Sequence, residues 1–178
     1  MFKQETLLTR KDCDNILSLV SRRFSFHPSS LYWNSNSHDN KKTQRTKKTK
    51  DCYVSGSRVF ELLKKSLQKL NVKSFPENDC VIIKYEKGSY FKKHIDGNSK
   101  SERTLTIMIQ LSDAHEYDGG ELVTYSNDKP TMCSKELGNV ILIDSTKPHE
   151  VLEITKGTRY SLVIWLYAKN LKENTYIL

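Results

Sequence analysis

The chain is predicted to be mostly β with α: an antiparallel sandwich or barrel from residue 80 onward, supported by N-terminal helices. Three observations carry that expectation. Apolar residues recur at helical spacing only within the first seventy residues. From residue 80 the texture changes to short runs in which apolar and β-branched residues dominate. Those runs are separated by Gly, Pro, Asn and Asp clusters, which make turns. At 178 residues the chain fits one domain and is long enough to bury a core without staples. The expected organisation is a single domain, 1–178, with a support at 1–79 and a strand-rich core at 80–168.

Taken in order, Thr9 followed by Asp12 approximates a capping box, with Asp in place of the usual Glu or Gln. Ile16, Leu17, Leu19 and Val20 then form a short apolar face, so 10–22 is predicted as a helix. The stretch NSNSHDNKKTQRTKKTKD (34–51) has no apolar residue and is expected to be a mobile loop. Its neighbours LYW (31–33) and CYV (52–54) suit two strands joined by that excursion. Ser57 suits the cap of a second helix, 58–70, on which Val59, Leu62, Leu63, Leu67 and Leu70 share a face. Strands are expected at 80–86, 90–95, 103–111, 121–125, 139–144, 149–154 and 158–167. Gly119-Gly120 and Gly138-Asn139 supply turn chemistry between them.

Alternation in 158–167 puts Arg159, Ser161, Val163 and Trp165 on one face, with Tyr160, Leu162, Ile164 and Leu166 on the other. A buried arginine beside Val and Trp needs a partner. An anionic ligand is one candidate; an ion pair with Glu121 or Glu153 competes. By the same rule His149 shares a face with Val151, and Ile83 with Tyr85.

The formal net charge is +8, and six positive charges lie in KKTQRTKKTK (41–50), which contains no acid. Such a run suits nucleic-acid phosphates. The blander expectation is a solvated loop extended by self-repulsion. Cys13, Cys52, Cys80 and Cys133 stand far apart with no CxxC pair, so free thiols are expected rather than bridges or metal ligands. No stretch approaches the roughly 20 apolar residues of a membrane span. The N-terminus lacks a secretory h-region, so a cytoplasmic location is the default expectation.

His94 and Asp96 carry the strongest chemical signal. Residues i and i+2 of an extended strand face the same way, so the two can grip one ion. His149, arriving from a distant strand, would complete a two-histidine, one-carboxylate facial triad. That set leaves open coordination positions and is the usual cage of non-haem Fe(II) oxygenases. Arg159 suits an acidic organic cosubstrate, because its planar fork holds a carboxylate through parallel hydrogen bonds. HxD alone is weak, and a surface histidine paired with a carboxylate competes. His27, His38 and His115 lack this context and are expected to be exposed or structural.

Several ordered motifs also carry a resemblance. YEKGSYFKKHID (85–96) resembles the YxxGxxYxxHxD segment of the prolyl 4-hydroxylase-like iron and 2-oxoglutarate dioxygenases. RTLTIMIQLSD (103–113), GGEL (119–122) and GNVILIDSTKPHEVLEITKGTRYSLVIWL (138–166) are similar to the segments that follow in that family. The similarity spans residues 80–168, about half the chain. It implies a double-stranded β-helix, or jelly roll, as catalytic core. It implies that His94, Asp96 and His149 bind Fe(II) and that Arg159 pairs with the distal carboxylate of 2-oxoglutarate. Tyr85 falls at the family's pocket tyrosine, and Val151 and Trp165 at positions lining the cosubstrate cavity.

Two positions depart from the pattern. Phe91 stands where some members have tyrosine, with Tyr90 one place earlier, which alters packing. Gln110 stands where oxygen-sensing prolyl hydroxylases have a tyrosine that helps the arginine hold the distal carboxylate. Gln still donates a hydrogen bond, so weaker or rearranged cosubstrate binding is expected.

The implied activity is hydroxylation of a protein or peptide side chain, above all proline, with 2-oxoglutarate decarboxylated to succinate. O2 is the second cosubstrate, and ascorbate is a candidate auxiliary. The 34–51 excursion is expected near the cavity mouth as a lid or substrate contact. Two other readings stand beside this one. A nucleic-acid-modifying oxygenase would fit the basic run, but such relatives carry a pair of arginines after the distal histidine, and here Arg159 is alone there. A non-catalytic module holding nucleic acid through 41–50 would have no chemical reason to keep the triad and the arginine.

Overall fold

Runs such as CVIIKYE, RTLTIMIQ and NVILID place apolar side chains on both sides of an extended chain, so a sheet built from them must be covered on both faces. The computed structural model, which describes residues 2–23, 25–29, 46–54, 57–69, 80–97 and 102–167, has that form. In chain order the elements are β1 (Phe2–Thr6), α1 (Arg10–Arg23), β2 (His27–Pro28), β3 (Lys47–Lys48), β4 (Lys50–Tyr53) and α2 (Ser57–Gln68). There follow β5 (Cys80–Glu86), β6 (Tyr90–His94), β7 (Arg103–Gln110), a 3-10 turn at Ala114–Glu116, β8 (Tyr117–Gly119) and β9 (Leu122–Ser126). The last are β10 (Lys129–Met132), β11 (Asn139–Asp144), β12 (His149–Val151) and β13 (Ile154–Tyr167).

These strands form two antiparallel sheets. The larger runs β1-β11-β7-β13-β5-β4-β2, with β8 also paired to β13. The smaller runs β10-β9-β12-β6-β3. One face of the large sheet, carrying Leu105, Ile107, Ile109, Leu162, Ile164 and Leu166, packs against Cys13, Ile16 and Val20 of α1 and Leu63 of α2. Its other face, with Val81, Ile83, Met108, Ile141 and Val163, meets Leu122 and Val151 of the small sheet. The result is the jelly roll with helical support that the sequence predicts. The functional cleft opens in the second interface.

Local chemistry explains the N-terminal helix. The Thr9 N–H donates to Asp12 Oδ2 at 2.9 Å while the Asp12 N–H donates back to Thr9 Oγ1 at 3.3 Å, so Asp serves in the capping box as predicted. All four cysteines are buried free thiols. Burial pushes the Cys13 and Cys133 thiols up to about 11, which makes them inert. No helix among the described residues is long and apolar enough to cross a membrane.

Several expectations are corrected. Strands β1, β2, β3, β8 and β10 were not anticipated, and the N-terminal support is therefore not helical alone: β1 extends the large sheet through β11, and β4 extends it through β5. The second helix spans 57–68 rather than 58–70. The expected strand 149–154 ends at Val151, and the expected strand 158–167 starts at Ile154. The expected strand 31–33 and residues 34–45 of the excursion, including Lys41, Lys42 and Arg45, lie outside the described residues.

The end of the excursion is no loop. Lys47 and Lys48 pair with Phe91 and Tyr90 of β6, and Lys50 and Asp51 with Lys84 and Ile83 of β5. Lys47 is buried, with its Nζ 2.7 Å from the equally buried Asp51 carboxylate. An edge strand needs only backbone partners, and a lysine can bury its stem while its head finds an acid. Neither property shows as an apolar pattern.

Candidate metal centre

Strands β6 and β12 are neighbours in the small sheet, and their register sets His94 directly opposite His149. Two residues that are remote in sequence thus become a cross-strand pair, with ring centroids 4.4 Å apart. Asp96 does not share the strand with His94 as predicted, since β6 ends at His94. Backbone anchoring replaces strand geometry there. The N–H groups of Asp96 and Gly97 both donate to the Ser145 carbonyl, at 3.0 and 2.7 Å. A Cβ on Gly97 would sit 2.3 Å from the Arg103 carbonyl oxygen, so the chain makes this approach only with glycine.

The three side chains are held by partners of their own. His94 Nδ1 lies 2.7 Å from the Lys92 carbonyl and His149 Nδ1 lies 3.1 Å from the Lys147 carbonyl. Each Nδ1 therefore carries the proton, leaving the Nε2 lone pair for a ligand. The Thr106 hydroxyl donates to Asp96 Oδ2 at 2.8 Å and is itself 2.9 Å from Ser145 Oγ. Phe91 stacks on the His94 ring at 3.6 Å between centroids, so the residue that departs from the family pattern braces a candidate ligand.

The electrostatics favour a cation. Burial would raise the Asp96 carboxyl, but His149 and His94 outweigh it and hold the group well below the usual carboxylate range. Burial opposes a proton on His149, yet Asp96 beside it raises its affinity for one. His149 Nε2 is 3.4 Å from Asp96 Oδ2 and makes no hydrogen bond. The corresponding distance from His94 Nε2 to Asp96 Oδ1 is 3.5 Å, and one ligand atom from each residue lies within 4.8 Å of the others. Adjacent ligands each about 2.1 Å from one ion stand about 3 Å apart, so small side-chain shifts would close this set on a divalent cation. A buried acceptor without a donor fits that use.

The triad lies at one side of an open-mouthed cleft also lined by Tyr85, Val151, Arg159, Ser161 and Trp165. Arg159 is 1% exposed, and its Nε and Nη2 donate to Gln110 Oε1 at 3.2 and 3.0 Å. Its guanidinium lies over the Tyr85 ring at 5.0 Å, and Nη1 has no hydrogen-bond partner among the described residues. The competing ion pairs are absent: Glu121 pairs instead with Lys135 at 3.4 Å, and no described acid meets Arg159. Trp165 lines the cleft with a buried Nε1 that also lacks a partner, and the Arg103 guanidinium lies 4.0 Å from its ring.

Of the predicted site residues, His94, Asp96, His149, Arg159, Tyr85, Val151 and Trp165 all line this cleft. Gln110 stands behind the arginine instead. Its Oε1 accepts from Arg159 and its Nε2 donates to the Ser134 carbonyl at 3.2 Å, so the spare donor expected of it is taken. His27 and His115 are exposed and apart from the site; His38 lies outside the described residues. Sequence reasoning missed Thr106, Ser145 and Gly97, which set Asp96, whereas Lys47 lines the cleft from the excursion expected at its mouth. Only Gly97, one residue past the HxD pair, left a signal: a glycine directly after a candidate ligand marks a tight approach.

Comparisons with known proteins agree with this geometry. The profile of the 2OG-Fe(II) oxygenase superfamily matches residues 80–167. A PKHD-type hydroxylase of Prochlorococcus marinus (strain MIT 9215) is 31% identical over 122 residues, covering 64% of this chain and 55% of that protein. The chain thus spans about half the length of the curated relatives it matches. Among solved structures, a prolyl hydroxylase from Trichoplax adhaerens in complex with a hypoxia inducible factor oxygen degradation domain peptide fragment is similar with a TM-score of 0.73. It is 19% identical, and the match covers 97% of this chain and 84% of that one. A Pseudomonas putida prolyl-4-hydroxylase follows at a TM-score of 0.69 and 16% identity, covering 93% and 92%. At such identities the structural likeness establishes the fold.

Proposed function

Because the chain belongs, through residues 80–167, to the 2OG-Fe(II) oxygenase superfamily, we propose that it is an Fe(II)- and 2-oxoglutarate-dependent dioxygenase hydroxylating a protein or peptide side chain, with proline as target. The observation that carries this reading is the convergence of His94, Asp96 and His149 in one cleft with a buried arginine that keeps a spare donor. The hydroxylase names of the relatives support it, and so does the peptide held by the Trichoplax neighbour.

In this reading His94 Nε2, the Asp96 carboxylate and His149 Nε2 hold the metal, and Arg159 takes the distal carboxylate of 2-oxoglutarate. Fe(II), when bound, supplies O2 activation coupled to decarboxylation of the cosubstrate, chemistry no side chain here could perform alone. The protein's own part is placement. The Lys92 and Lys147 carbonyls keep the Nδ1 protons in place so that both lone pairs point inward. Thr106 orients Asp96 while leaving it ionised. Ile83, Met108 and Val163 wall the cleft with apolar surface, which keeps water from the reacting centre. The nucleic-acid readings lose part of their charge, since Lys47 is paired inside with Asp51 and Lys50 with Glu86.

The test is turnover with two classes of substrate. With Fe(II) and 2-oxoglutarate, the protein is expected to release succinate and add one oxygen atom to proline-containing peptides, read by mass spectrometry. His149→Ala should do neither. Oxidation of methylated oligonucleotides in place of peptides, or turnover surviving in that variant, would overturn the proposal.

A further inference from the structure

A carboxylate in a buried site needs a donor for each oxygen, and an arginine usually supplies both from adjacent nitrogens. Here Gln110 Oε1 accepts from Nε and from one N–H of Nη2, which leaves the second Nη2 N–H and both N–H groups of Nη1 for a ligand. A carboxylate has lone pairs for more than two donors, so a further donor beside the guanidinium would tighten that hold. Tyr117 on β8 stands opposite Gly157 of β13 in the ladder, and Arg159 lies two residues farther along β13. Two residues along a strand return to the same face, so Tyr117 and Arg159 project together as diagonal neighbours, within reach of long side chains.

Tyr117 is 3% exposed and belongs to the buried cluster between the sheets, with Tyr85, Val151 and Ile154. Its hydroxyl is buried and has no hydrogen-bond partner among the described residues. The ring is fixed by Lys135, whose Nζ lies 4.3 Å from the ring centroid and donates to the Gly119 carbonyl at 2.9 Å. Gly120, with φ +65, makes room for Ile154 beside the arginine: a Cβ there would meet Ile154 Cδ1 at 2.1 Å. Burial pushes the Tyr117 phenol up, and the positive charge of Arg159 beside it is the largest opposing influence, so the phenol stays a neutral donor. The Arg159 guanidinium lies close enough to the Tyr117 hydroxyl oxygen to influence it, which leaves the phenol proton free to point at an acceptor beside both groups.

Resting on the oxygenase reading above, we propose that Tyr117 is a cosubstrate-binding residue, its hydroxyl joining the free edge of the Arg159 guanidinium in a clamp for the distal carboxylate, while Gln110 is a positioning residue that turns the guanidinium without touching the ligand. The clamp selects a dicarboxylic 2-oxo acid over a monocarboxylic one. It also moves the tyrosine hydroxyl that position 110 lacks to a different strand.

The test measures binding, not turnover. Calorimetry with Mn(II) in the metal site compares 2-oxoglutarate with 2-oxopentanoate, which lacks the distal carboxylate. Tyr117→Phe is expected to weaken 2-oxoglutarate about 10- to 100-fold, the usual loss of a hydrogen bond to a charged group. Affinity for 2-oxopentanoate and for Mn(II) should not change. The Tm of the ligand-free variant should hold or rise, because the hydroxyl removed had no partner; a merely structural tyrosine would lower it. Unchanged 2-oxoglutarate affinity, or an equal loss for both oxo acids, would overturn the clamp. Failure of the unsubstituted protein to bind 2-oxoglutarate at all would instead overturn the oxygenase reading beneath it.

Discussion

The two faces of the large sheet are made by the same strands and could hardly differ more. On β7 and β13 the residues Leu105, Ile107, Ile109, Leu162, Ile164 and Leu166 face the helices, each 2% exposed or less and with no polar atom to satisfy. Their alternating neighbours Thr106, Gln110, Arg159 and Ser161 lie on the other face, the side of the cleft and its supports, just as buried but polar. Burial is therefore not what distinguishes the faces; completeness is. The helix-side face is finished by packing, whereas the cleft side leaves Arg159 Nη1, Trp165 Nε1 and the Tyr117 hydroxyl without partners, with His149 Nε2 of the small sheet also unpaired across the cleft. Strand alternation lets one set of backbone hydrogen bonds carry a stabilising surface and a binding surface at once.

The sharpest way to break that contrast is at the rim of the cleft, where Lys47 and Asp51 do complete each other. Removing one charge from a buried pair strands the other, so Lys47→Met should cost about 3–5 kcal/mol in urea unfolding. Adding Asp51→Leu to that variant should return most of the loss. A loss below 1 kcal/mol for the single variant would show that the pair is open to water.

A smaller effect separates the faces themselves. Ile107→Ala, on the helix side, should lose about 2–5 kcal/mol of stability while leaving Mn(II) affinity within a few-fold. Its neighbour should do the reverse. Thr106→Val keeps the shape but removes the donor to Asp96, so metal affinity should fall about 10- to 100-fold with little change in Tm. If both variants moved stability and metal affinity together, the two faces would not be separable.

The same distinction explains what the sequence made legible. Strands β5, β7, β11 and β13 bury both faces, so their apolar runs stand out, and alternation correctly put Arg159 and Trp165 on one face, which proves to be the cleft side, and Leu162 on the other. His94, Asp96 and His149 were legible because their chemistry is rare in combination, although the register that joins them is a property of the sheet. The edge strands FKQET and KK were not legible, because pairing at an edge is backbone work that leaves no side-chain period. The strand expected from residue 158 in fact runs through Gly157, which pairs with Tyr117. Tyr117 went unnoticed: an aromatic in a Gly-rich segment signals nothing until its neighbour across the ladder is known.

The central claim, that His94, Asp96 and His149 form one cation site, is tested most directly by anaerobic titration of Fe(II) into the purified protein, followed by calorimetry. The account predicts one ion bound per chain by the unsubstituted protein and no measurable binding by His149→Ala that retains its fold by circular dichroism. Equal binding by the two proteins would contradict it.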